Sequence, residues 1–176
     1  MPNVQELLRR VEALIDDTLD NASVVAWFNG AQAALADAIY IPTKQTITRD
    51  GVSGGFAYPV NLSGMLTITD PTDITGYEVY DWFMYLSGGS AETAATITVT
   101  YNRQPADVTN DPSSIPELAT MFHDAYVFWA CMQAMNPEEE PTRYAQYERD
   151  FSRLKAQIAK HYGSVRVKPS RWVVDR

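Results

Sequence analysis

A chain whose two ends repeat with helical period, and whose middle alternates with strand period, cannot fold as one helical bundle or one barrel. Residues 4–19 place Val4, Leu7, Leu8, Val11, Leu14, Ile15 and Leu19 at spacings of three and four, with Glu6, Arg9, Arg10, Glu12, Asp16 and Asp17 between them. The spacing predicts an amphipathic helix. A second is expected after the caps Asn21 and Ser23, with Val24, Trp27, Phe28, Ala31, Leu35, Ala38 and Ile39 on one face until Pro42 stops it. From Thr43 to Tyr101 the chain turns rich in Thr, Tyr, Val and Ile, with turn chemistry at Asp50-Gly51, Gly54-Gly55, Asp70-Pro71 and Gly88-Gly89. Short antiparallel strands are expected near residues 44–49, 56–60, 64–69 and 76–86. The clearest strand is TITVTY, with Ile97, Val99 and Tyr101 on one face and Thr96, Thr98 and Thr100 on the other.

The helical period returns after Pro105, Asp111 and Pro112. Ser114-Ile115-Pro116-Glu117 has the composition of a helix start. Leu118, Met121, Phe122, Ala125, Phe128, Trp129, Met132 and Met135 follow at helical spacing, with Tyr126, Val127 and Cys131 apolar on the other sides. A helix apolar nearly all round must be covered nearly all round, as the centre of a bundle or in a subunit contact. The last helix is expected from Pro141 to Gly163, with Tyr144, Tyr147, Phe151, Leu154, Ile158 and His161 forming a seam. The fold class is α+β: a four-helix α domain with a small antiparallel β domain inserted. The expected divisions are residues 1–42, a first helix pair; 43–105, the β insertion; 106–163, a second helix pair; and 164–176, an extended basic tail.

Charge narrows the function. Lys and Arg number 14 against 22 Asp and Glu, a net −8 over 176 residues. That excludes a cationic nucleic-acid coat. The charge is segregated. From Gly163 onward four cations face one carboxylate, a net +3, while the first 162 residues carry ten cations against 21 carboxylates, a net −11. The tail also holds Val165, Val167, Trp172, Val173 and Val174, and aromatic plus Arg is the composition of interface anchors. A frayed terminus is the bland alternative. No apolar run approaches the ~20 residues that span a bilayer, and the opening residues lack the apolar core of a secretory signal. Synthesis in the cytoplasm and no membrane association are the expectations.

Catalytic chemistry finds little purchase. The two histidines, His123 and His161, both fall on expected helices, and an enzyme would need one of them beside a carboxylate in a pocket. Lone Cys131 supplies neither a disulfide nor a thiolate zinc site. Glu138, Glu139 and Glu140 precede the last helix, where acidic residues offset its dipole. The glycine pairs lack the spacing of phosphate loops. No catalytic, cofactor-binding or metal-binding residue is expected. Tyr77, Tyr80, Trp82, Phe83 and Tyr85 cluster in one expected strand, either as core and subunit contacts or as a platform.

The stretch from Tyr101 to Gly163 resembles the C-terminal half of tailed-bacteriophage head-to-tail adaptors, also called head completion or connector proteins. The residues that carry the likeness are Tyr101, Arg103 and Pro105, the Pro116-Glu117 helix start, the run His123-Asp124-Ala125-Tyr126-Val127, and Tyr147, Phe151 and Leu154. The opening helix pair is similar in style. The resemblance implies a structural virion protein at the neck, made in the bacterial host. It further implies a dodecameric ring of chains, monomeric when alone, under the portal protein. Such a ring would extend the DNA channel without gripping DNA and receive the next neck or tail protein, a stopper or a tail tube or nozzle.

Within that reading the tail residues Arg166, Lys168, Arg171, Trp172, Val173 and Arg176 are the expected portal-docking set. Ser87, Gly88, Gly89 and Ser90, taken as a hairpin tip, are the expected distal contact. An acidic body suits a channel wall over which DNA slides without sticking. The alternative is another virion binding module that uses the aromatic β insertion to grip a ligand or tail partner.

Overall fold

A computed structural model describes residues 2–59 and 62–165. The chain forms two compact units: a helical one from residues 2–39 and 105–164, and a β one from residues 40–104. The architecture is mixed α+β, with four α-helices and two small antiparallel sheets among the described residues.

In the helical unit, α1 (Val4–Ile15) begins where the Asn3 side chain accepts the Glu6 amide at 2.9 Å, and it ends at Asp16 in the left-handed region. Its buried stripe is Val4, Leu7 and Val11. Helix α2 (Asn21–Ala34) is capped by Asp20, whose carboxylate accepts the Ser23 amide at 2.9 Å, in place of the expected caps Asn21 and Ser23. It stops at Ala34, well before Pro42; Leu35, Ala38 and Ile39 are buried all the same, carried into the core by turns.

The third helix departs most from expectation. Residues 114–119 are not helical; a 3₁₀ turn spans Thr120–Phe122, and α3 proper is Asp124–Ala134. The Ser114 and Pro112 carbonyls accept the free N-terminal amides of Val4 and Gln5, at 2.9 and 3.3 Å. Glu117, part of that expected helix start, accepts the Ala106 amide at 2.7 Å instead. A backbone committed to capping another helix cannot build its own ladder. Met121 is accordingly 70% exposed, not on the buried face.

Helix α3 is the centre of this unit. It packs on α1 and α2, and on α4 (Pro141–Val165) through Phe128 stacked on Tyr147 at 6.0 Å and Trp129 against Phe151 at 5.0 Å. Its all-round apolar surface is thus met by three helices of its own chain. The α4 seam runs Tyr147, Phe151, Leu154, Ile158 and Tyr162, all buried; His161 is exposed, because the 3.6-residue period has drifted one position by the sixth contact. The helix continues through Gly163.

In the β unit, β1 (Ile41–Thr48), β6 (Thr96–Arg103) and β3 (Leu62–Asp70) form one antiparallel sheet in the order β1-β6-β3. The second sheet has the order β2-β5-β4, from Phe56–Ala57, Phe83–Ser87 and Gly76–Tyr80. Ile97, Val99 and Tyr101 of β6 are buried, as their alternation requires, and join Ile47, Leu66, Phe56 and Met84 in one core shared by both sheets. The expected single strand 76–86 is a hairpin. It folds at Asp81 and Trp82, whose φ angles are +47° and +66°.

Candidate functional site

The acid-base candidates are placed first by their surroundings. His123 is 1% exposed, with Nε2 2.7 Å from the Leu118 carbonyl oxygen and Nδ1 buried without a hydrogen-bond partner. This is the pattern of a neutral imidazole donating through Nε2. Burial pushes its pKa below the ordinary histidine value, against the opposing pull of the Leu118 and Pro116 carbonyls. His161 lies edge-on to Phe122 and Tyr162, with ring centroids 5.3 and 5.1 Å apart. Cys131 is buried and its thiol is pushed up to about 12 by desolvation, so it is not a thiolate near neutral pH. No group of three His, Cys, Asp or Glu residues among the described residues is arranged to hold a metal ion. No described helix is long and apolar enough to cross a membrane.

Interaction surfaces are more informative. The expected docking residues Arg166, Lys168, Arg171, Trp172, Val173 and Arg176 lie outside the described residues. Ser87, Gly88, Gly89 and Ser90 are described, and they are not a hairpin tip. They close β5 and open a 3₁₀ turn at Gly89–Glu92. Asp73 pins this corner: its carboxylate accepts the Ser90 amide at 2.8 Å and the Ser90 hydroxyl at 2.7 Å, and those bonds hold it below the usual carboxylate range. Glycine is required here, since Gly88 and Gly89 have φ of +86° and +40°, and a Cβ on Gly89 would lie 2.4 Å from the Asp73 carboxyl group.

The aromatic cluster is split by the Asp81-Trp82 turn. Tyr77 points to the core, and its half-buried phenol is raised by desolvation. Tyr80 and Trp82, by contrast, are 70% and 83% exposed, with Val79 and Tyr85 also exposed nearby. Two consecutive left-handed residues make the tight turn that suits a two-residue hairpin, a place where Asn-Gly or Asp-Gly is usual. Without that glycine, the turn carries no local signature. On the helical unit, Ala13, Leu14, Val127 and Phe128 line a shallow groove of about 300 Å³, with the Arg10–Asp124 ion pair (3.2 Å) at its rim.

A comparison with curated proteins gives no match. A scan against protein families matches residues 2–169 to the family described as SU10 adaptor protein. That span takes in both structural units and reaches into the basic tail. The chain belongs to the SU10 adaptor protein family, a family of phage head-to-tail adaptors.

Proposed function

We propose that this phage adaptor works as a structural part of the virion neck, docking as a ring of chains under the portal protein, extending the DNA channel and presenting the surface on which the next neck or tail protein seats. The family match over residues 2–169 carries this reading. Charge supports it: a −11 body offers DNA a repelling wall, and a +3 tail with Trp172 offers a neighbour an anchor that combines cations with an apolar side chain. Arg166, Lys168, Arg171 and Arg176 pair with acidic groups of the portal, while Trp172 and Val173 fill an apolar pocket there. The pinned corner Ser87–Ser90 is the proposed distal contact. The protein's role is to couple particle components, not to catalyse a reaction.

Removal of residues 166–176 tests this, because it keeps every described residue of α4. Expected are unchanged helical circular dichroism and loss of binding to purified portal. Full binding by the shortened chain overturns the tail assignment. Molar salt separates the two kinds of contact, weakening the charge pairs and sparing burial of Trp172.

A further inference from the structure

We propose that the Asp81-Trp82 hairpin tip is a second docking point, built to insert into an apolar, cation-rimmed pocket on the protein that follows the adaptor in the neck. This deepens the function proposed above and rests on it. The tip combines three properties that no packing role within the β unit explains. First, its apolar side chains face outward: Trp82 is 83% exposed, Tyr80 70% and Val79 47%. An indole left in water forgoes the largest apolar burial any side chain can contribute, and Trp and Tyr are the residues most enriched at binding hot spots.

Second, Trp82 sits at φ +66°, a conformation that glycine adopts freely and a bulky residue resists. Glycine here would fold the same turn with less strain, so the indole sits against local preference, as strained residues at binding sites do. Third, the backbone of the tip is tied by hydrogen bonds on both sides of the turn. Tyr80 pairs with Phe83 across the hairpin, and the Trp82 carbonyl accepts the Tyr58 amide at 2.8 Å. A side chain held on a fixed backbone loses less entropy on docking.

The partner's chemistry follows from charge. Asp81 lies in the turn, and Glu78 faces the same side of the hairpin as Tyr80. Residues 40–104 carry three cations, Lys44, Arg49 and Arg103, against six carboxylates. An acidic tip is repelled by DNA and by anionic lipid. Net −11 over the described residues also makes the body of a second copy a poorer electrostatic match for this tip. The surface that fits is an apolar pocket edged with Lys or Arg on a different protein. The strand between this tip and the Ser87–Ser90 corner puts roughly 15 Å between the two contacts, so they engage separate features.

The test is Trp82→Gly, which keeps the turn and removes the anchor. The isolated chain is titrated with the purified protein that follows it in the neck, and loading on purified portal is measured separately. Expected are a raised unfolding midpoint for the variant, unchanged portal loading, and at least tenfold weaker binding of the downstream protein. Charge reversal by Asp81→Lys should also weaken that binding, the more so at low salt. Equal binding by wild type and Trp82→Gly overturns the inference, as does failure of the wild-type chain to bind the downstream protein. Loss of portal loading or of chain-to-chain association in Trp82→Gly overturns it too, by making the portal or a second copy the occupant. Failure of the wild-type chain to load on portal instead counts against the proposed function, while the titration still reads the hairpin.

Discussion

The Lys155 ammonium lies 2.8 Å from the carbonyl oxygen of Ala34, so the last helix supplies the cation that the end of α2 lacks. Neither α1 nor α2 has a basic residue in its own last turn. Arg143, twelve residues earlier on α4, does the same for α1 by donating to the Leu14 carbonyl. The C-terminal helix thus caps both N-terminal helices and ties together the two sequence-distant halves of the helical unit. Lys155 is also 3.0 Å from Asp37, whose carboxylate it holds below the usual range.

Lys155→Met keeps the aliphatic stem and removes the donor. It is expected to lower stability by about 0.3–1 kcal/mol at low salt, the usual worth of a cation at a helix C-terminus. Urea unfolding at low and high salt checks this. The loss should shrink as salt rises, since screening weakens the wild-type contact as well.

The Gln32 side-chain amide donates to the buried Tyr126 hydroxyl at 3.1 Å and to the Ala106 carbonyl at 3.2 Å. Tyr126 is fully buried, and burial raises its phenol above the ordinary tyrosine pKa. Tyr126→Phe leaves one amide proton short of an acceptor and is expected to cost about 1–2 kcal/mol. Gln32→Leu combined with Tyr126→Phe should cost less than the two single changes added, which a double-mutant cycle measures.

Protonation of His123 would add a proton to Nδ1, which has no acceptor. Its folded pKa is lowered, so the unfolded chain binds the proton first. The sign follows: stability is complete above the unfolded value of about 6.5 and falls as pH drops below it toward the folded pKa. His123→Gln keeps a donor for the Leu118 carbonyl and should remove this part of the pH dependence. Denaturant midpoints at pH 7.5 and 5.5 test it; equal slopes in both proteins contradict it.

Much of this fold was legible because it rests on period. Ile97, Val99 and Tyr101 had to share a face, and the α4 seam had to pack. What was hidden depended on tertiary bonds. The start of α3 reads locally as Ser-Ile-Pro-Glu, yet the Ser114 carbonyl caps α1 at Val4, 110 residues away, and Glu117 serves Ala106, 11 residues away. The hairpin at Asp81-Trp82 was hidden because a bulky residue fills the position where glycine signals a turn. Ser87–Ser90 showed their glycines but not the Asp73 carboxylate that fixes them.

Native mass spectrometry of the purified portal mixed with the full chain tests the coupling role most directly. The expected result is a single saturated complex with one chain per portal subunit, which reverts to bare portal when residues 166–176 are removed. A portal whose mass stays unchanged at saturating concentrations of the full chain would contradict it.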